Sequence, residues 1–312
     1  MALTTTASNS AVQVAIQKET VWGTKIGTET PTPTVVDFKL QRFTECSFSL
    51  NRAELEDESI TAARGVTSVR YGNFDAGGTI SGALAATSWD DFIASACMNN
   101  WVADTIVSDG IVEQSFNVQI GHTDINQYEL WTGMQVGSMT ISSPVDALSN
   151  ISFEFSGSTQ EGIYPTSIDA TPTAAASTEA MFHCGGVMNY NGVPVAIITG
   201  IEVTLENSLE TQFAWGTCAA RDITAGKSRV SGSFTALYAD DTFQTDSLNE
   251  TQVSIDFTLT DPAGNSLKFS IPSVSLGSVD APVSGEGATV LTVPFRGVYN
   301  AGIGGTLEIT RS

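Results

Sequence analysis

The chain has 312 residues, 41% of them apolar, which is enough for two domains of ordinary size, each with its own core. Only 15% are charged, and 34 acidic residues against 13 basic ones leave a net charge of −21. That balance excludes a surface that grips nucleic acid, which needs clustered Lys and Arg. With so few charges, Ser, Thr, Asn, Gln and Gly must meet the solvent. Proteins fixed in an assembly and secreted β proteins share that habit.

The first residues, Met1 to Thr6, are small and polar, with neither the basic region nor the apolar core of a signal peptide. Residues 1–11 read as a flexible arm. Val12 to Gln17 alternates cleanly as a strand, and the segment Lys18-Glu19-Thr20-Val21-Trp22-Gly23-Thr24 follows it. The Thr/Pro-rich stretch Thr28–Thr34 reads as an extended arm or loop, because Pro cannot join a ladder. Strands are expected at Val35–Leu40 and Phe43–Leu50. Arg52–Ala63 is an exposed acidic segment, and Arg64–Ala76 a long loop carrying Arg64, Arg70, Tyr71 and Phe74. Loops of that length belong to function or to an interface. Arg52–Asp75 as a whole lacks an apolar stripe, so only a neighbour should order it.

A strand with Ile80 and Leu84 on one face leads into a short helix opened by Thr87 or Ser88 as N-cap. Asp90 and Asp91 occupy its first turn, and Trp89, Phe92, Ile93 and Ala96 form its apolar side. Strands are then expected within Gly110–Gly121, at Tyr128–Trp131, Met134–Ile141 and Ile151–Ser156. Residues 161–180 have the composition of a linker. The second part restarts with strands at Met181–Asn189, Val193–Ile198 and Ile201–Glu206, then a loop holding Trp215 and Arg221. Strands Arg229–Leu237, Thr251–Thr260, Ser266–Ile271, Val274–Val279 and Ala288–Arg296 complete the set, and Thr306–Thr310 is a terminal strand without a counterpart in the first part.

The two parts match. Ser231-Gly232 repeats Ser81-Gly82, Asp240-Asp241 repeats Asp90-Asp91, and Phe243 stands near the place of Phe92. Phe153 to Gly157 resembles Val293 to Gly297. A repeat at this range points to two diverged copies of one domain. The fold expected is all-β: two similar antiparallel sandwich or barrel domains, residues 12–160 and 181–312, each with a short flanking helix.

Chemistry is sparse. His122 and His183 lie in different expected domains and lack HxxxH or CxxC partners. Adjacent Asp residues on a helix diverge by about 100°, so they cap rather than catalyse. Cys46, Cys97, Cys184 and Cys218 are too sparse for a disulfide framework and read as reduced, mostly buried thiols. No run nears the ~18 apolar residues of a membrane span. No catalytic residue, cofactor or metal is expected.

The segment Glu19-Thr20-Val21-Trp22-Gly23-Thr24, the strand Gly78-Thr79-Ile80-Ser81-Gly82 and the helix start Ser88-Trp89-Asp90-Asp91-Phe92 resemble those of the major tail tube proteins of long-tailed bacteriophages. The resemblance is best over residues 12–160. It implies a structural virion protein whose domains sit side by side in rings that stack into a tube. That tube would hold the tape-measure protein, meet terminator and baseplate proteins, and pass DNA without sequence preference. Such rings present six domains, so a duplicated chain implies three copies per ring. Trp22, Arg64, Arg70, Tyr71, Phe74, Trp215 and Arg221 are the expected contacts between subunits or rings. The alternatives are another virion component (tail terminator, baseplate hub or decoration protein), a β-sandwich adhesin, or a glycan-acting enzyme whose paired carboxylates have no evident place.

Overall fold

The computed structural model describes residues 6–29, 34–57, 68–280 and 288–312. The first half contains β1 (Val12–Lys18), β2 (Lys39–Gln41), β3 (Glu45–Glu56), β4 (Val69–Ala83), α1 (Asp90–Cys97), β5 (Thr105–Val107), β6 (Ser115–His122), β7 (Gln127–Pro144), β8 (Asn150–Gly157) and β9 (Thr159–Tyr164). The second half contains β10 (Phe182–Tyr190), β11 (Val193–Pro194), β12 (Ile198–Glu206), β13 (Leu209–Gln212), β14 (Asp222–Ala225), β15 (Arg229–Leu237), α2 (Thr242–Leu248), β16 (Gln252–Thr260), β17 (Ser266–Leu276), β18 (Val290–Gly297) and β19 (Glu308–Arg311). The all-β expectation holds.

Neighbouring strands run β3-β4-β8-β7-β6-β1-β2 in the first half and β12-β15-β18-β17-β16-β10-β11 in the second, all antiparallel. The order is the same strand for strand. β9 flanks β7 as β19 flanks β17, so the terminal strand does have a counterpart in the first half. The sequence hid it because residues 157–180 read as low-complexity connector.

Glycines fix the register of this correspondence. Gly78 on β4 lies opposite Phe48 and Phe155, and a Cβ there would overlap the Ser47 carbonyl oxygen. Gly232 on β15 lies opposite Val203 and Phe295, and a Cβ there would overlap the Glu202 carbonyl oxygen. The ladder therefore aligns Gly232 with Gly78 rather than with Gly82. Both glycines stay on the inward phase of their strands, which is why the motif match survived the slip.

The helices play equivalent parts. Phe92 of α1 packs edge-on against Phe116 of β6 and Phe153 and Phe155 of β8, with centroids 5.0–5.3 Å apart. Phe243 of α2 packs edge-on against Tyr190 of β10 and Phe234 of β15 at 5.1 and 5.2 Å. Each helix plugs the gap between two curved strand layers and adds aromatic contacts to the core. The caps differ from expectation. Trp89, not Thr87 or Ser88, precedes the first turn of α1, and no side chain caps it. Thr87 has φ 61°, so the chain turns there instead of entering the helix.

The two halves are zipped together along two seams. The outer half of β7 (Ser138–Pro144) pairs with β12 (Gly200–Glu206), and β19 lies between β17 and β5. One hydrophobic core runs through both halves. Arg311 at the end of β19 bonds Asp90 and Asp104 and lies over the Trp101 ring, so the second half grips the first helix.

Three expectations are corrected. Arg52–Glu56 and Val69–Ala76 are not loop: they are the outer parts of β3 and β4, paired from Arg52↔Phe74 to Glu56↔Val69. Polar side chains on both faces hid a ladder whose backbone bonds need no apolar stripe. Residues 165–181, outside any strand, are not a free linker either. Asp169 is buried and accepts the Phe38 N–H at 2.9 Å, and Thr178 donates to the Ala86 carbonyl at 2.6 Å. Of the four free cysteines only Cys97 is buried; Cys46 is half-buried, and Cys184 and Cys218 are exposed. Near the start, Ser8 donates its N–H to Asp124 at 2.6 Å, which anchors residues 6–11.

Because each glycine abuts a neighbouring strand's backbone, Gly78→Ala and Gly232→Ala should each destabilise the protein by about 1–3 kcal/mol. Denaturant unfolding of the two variants should give similar midpoint shifts. Loss at only one position would mean that the two strands are not packed alike.

Candidate assembly surfaces

The Glu19 segment is a turn organised by one carboxylate. Glu19 is 9% exposed and accepts the N–H groups of Gly23 (2.9 Å) and Gly133 (2.7 Å), the Ser115 hydroxyl (2.7 Å) and the Asn117 amide (2.6 Å). Burial pushes its carboxyl above the usual range, and these donors oppose that shift. Gly23 sits at φ 64°, the left-handed conformation glycine tolerates best. The sequence showed the segment but not that Glu19 is its centre. The signal was an acidic residue just after a strand and four residues before a glycine.

This turn sets Trp22 beside Gly133 and Ser158. The Ser158 hydroxyl donates to the Ala220 carbonyl at 3.0 Å, and the Phe74 N–H donates to the Cys218 carbonyl at 2.8 Å. Trp22, Phe74 and the 213–221 loop with Trp215 and Arg221 thus gather at one end of the first half. Trp215 is fully exposed there. Arg70 and Tyr71 stand apart, exposed on the outer part of β4. Phe74 packs under Arg52, 4.4 Å from its guanidinium. Arg64 lies outside the described residues.

The joined strands β3-β4-β8-β7-β12-β15-β18-β17 form one broad face. Its inward residues, such as Ile80, Phe153, Met139, Val203, Phe234 and Val293, are buried. Its outward residues are almost all hydroxyls: Ser47, Ser49, Thr79, Ser81, Ser152, Ser138, Thr140, Thr204, Ser231 and Ser233. The charged residues on it include Glu45, Asp75, Glu154, Glu202 and Glu206 against Arg229 and Arg296, all exposed. The period of two sorts the side chains, and the low charge of the whole chain is concentrated here as Ser and Thr.

Titratable groups do not converge. Among the described residues, no group of three or more His, Cys, Asp or Glu is placed to hold a metal. Asp90 pairs with Arg311 and Asp91 with Lys39 at 3.5 Å, while Asp240 accepts the Thr242 N–H at 3.0 Å. His183 meets its neighbours in sequence, Cys184 through its Nε2 at 3.1 Å and the Phe182 ring edge-on. Burial pushes the Cys97 thiol up to about 12, which keeps it protonated and unreactive. Among the described residues, no helix is long and apolar enough to cross a membrane.

A hydroxyl-faced double sheet with open edges is the build of a self-assembling structural subunit. Residues 9–297 match the family model described as phage tail tube protein, and the chain belongs to that family. It is a structural protein of the virion tail that self-assembles into a tube. No curated protein matches the chain.

Removing the Glu19 carboxylate leaves the Gly23 and Gly133 N–H groups, the Ser115 hydroxyl and the Asn117 amide without this acceptor. Glu19→Ala should cost about 2–4 kcal/mol, since hydrogen bonds to a charged group are worth ~1.5–3 kcal/mol each. Thermal unfolding reads this loss, and an unchanged midpoint would show that the turn holds without its carboxylate.

Proposed function

We propose that each chain supplies two tube domains, residues 12–160 and 181–312, joined through 161–180, and that three chains close a pseudo-sixfold ring. The broad hydroxyl face is the wall of the lumen. Its composition carries this reading: it is continuous across both halves, rich in hydroxyls, and acidic in balance, with Arg229 and Arg296 outnumbered by its carboxylates. DNA carries one charge per ~1.7 Å of axis, so a cationic wall would retain it by counterion release. Hydroxyls and carboxylates offer no such hold. The same duct encloses the tape-measure protein, and its ends meet terminator and baseplate proteins. The cluster of Trp22, Phe74, Trp215 and Arg221, together with Arg70 and Tyr71 on the projecting hairpin, makes the contacts between subunits or rings. Arg64, outside the described residues, is proposed as a further contact.

Charge reversal on the wall tests this reading. Glu154→Lys with Glu202→Lys should leave tubes of normal appearance by negative-stain microscopy. Genome ejection from particles built with them should slow, more so at low salt, where screening is weaker. Unchanged ejection at low salt would mean that this face does not line the channel.

A further inference from the structure

The outer ribbon of β3 and β4 needs a neighbour to hold it. We propose that the neighbour is the chain's own second half: the loop of residues 213–221 braces the ribbon and sets the direction in which it projects. The link from this brace to assembly rests on the tube reading above.

The ribbon is weak by itself. β4 lies between β3 and β8 only as far out as Ala76, which stands opposite Gly157, the last residue of β8. From Asp75 outward to Val69 it pairs with β3 alone among the described residues. A two-stranded ribbon is marginal in water without a face to pack on. This one lacks such a face, because Leu55, Val69 and Tyr71 are 56%, 45% and 58% exposed. It also carries a bulge. Arg52 stands opposite Phe74 and Glu54 opposite Tyr71, so β4 takes three steps where β3 takes two. A bulge bends and twists a ribbon, and its angle is fixed by what lies against it.

The second half reaches that point. Where β8 ends, the chain swings away into β9, and the Ser158 N–H goes to the Thr132 carbonyl at 3.0 Å. The 213–221 loop takes the vacated place beside β4. The Phe74 N–H, at the foot of the bulge, donates to the Cys218 carbonyl at 2.8 Å. Two residues on, the Ala220 carbonyl accepts the Ser158 hydroxyl at 3.0 Å. Ser158 and Ala220 are both buried. One loop is thus stitched to β4 on one side and to the end of β8 on the other.

The brace is itself held. β13 and β14 pair from Leu209↔Ala225 to Gln212↔Asp222, and the Arg221 N–H donates to the Gln212 carbonyl at 2.8 Å. Within the loop the Thr217 hydroxyl accepts the Ala219 N–H at 3.1 Å. Ile223 of β14 is buried, and the Leu209 side chain lies beside Gly137 of β7. Just before β13, Asn207 donates its amide to the Ala96 carbonyl of α1 at 2.8 Å. A stem seated on the first half therefore carries the loop to the weakest point of the ribbon. Trp215 is fully exposed, so the loop backbone makes the brace and its largest side chain does not.

Segments with few partners open locally at low free energy, and here the second half controls that opening. The surface carrying Arg70 and Tyr71 is set before any partner arrives, which lowers the entropy lost on docking.

Hydrogen–deuterium exchange of the unassembled full-length chain, read by mass spectrometry, tests the brace. Replacing residues 213–221 with Asn-Gly closes β13 and β14 by a two-residue turn and removes the brace. Exchange within residues 69–75 should become roughly tenfold faster or more, the scale of losing the hydrogen bonds that hold the ribbon. Residues 153–155 and 230–234 should exchange as in wild type. Ser158→Ala removes one stitch without altering loop or ribbon, and should speed exchange of residues 69–75 about threefold. Unchanged exchange there in both variants would overturn the brace. If the shortened chain loses core protection, Ser158→Ala decides alone, and unchanged exchange in it overturns the brace. The readout uses free chains, so it stands apart from the tube reading. Tube yield from the shortened chain should fall severalfold. Faster exchange with wild-type tube yield would overturn the presetting of the contact surface.

Discussion

An unpaired strand edge is the constraint on which this structure turns. Backbone N–H and C=O groups along an edge strand demand partners, and apolar side chains behind it demand cover. Inside the chain the demand is met at β12, which takes β7 as neighbour and α1 as lid. The seam of β19 with β5 and β17 secures the other side, and Arg311 fastens it to Asp90. The two halves cannot separate without exposing a core that they share.

Low charge follows from the same geometry. A surface enclosed in an assembly needs polarity but gains little from isolated charges, whose exposed pairs contribute at most ~1 kcal/mol each. Ser and Thr serve on the broad face because they fit β-strands, hydrogen-bond water and carry no field. Among the described residues, the ion pairs within the chain centre on Arg311 and Lys39, where the C-terminal strand and the β2 edge meet α1.

Much of this was legible in the sequence, where period-two alternation survives. Arg229–Leu237 was placed to the residue, β8 and β16 nearly so, and the aromatic side of α1 was read from its spacing. The Ser-Gly and Asp-Asp pairs suggested a repeat through Gly82 and Gly232, whereas in the ladders it is Gly78 that occupies the position like that of Gly232. What failed to show was structure held by backbone alone. The outer parts of β3 and β4 carry polar residues on both faces, so they read as loop. β9 vanished into a connector composition, and with it the counterpart of β19. β7 read as two strands because Gly133 sits at φ 69° in its middle, yet the strand runs on through the kink. The role of Glu19 was hidden too, since its donors come from β6 and β7, far along the chain.

The central claim is that one chain carries two tube-forming halves alternating around the wall. A three-dimensional reconstruction by electron cryo-microscopy of tubes assembled from the full chain tests it most directly. The account predicts threefold rings in which first and second halves alternate, with the Glu154 and Glu202 face turned to the lumen. A ring of six chains, with first halves at all six inner positions and second halves outside, would contradict it.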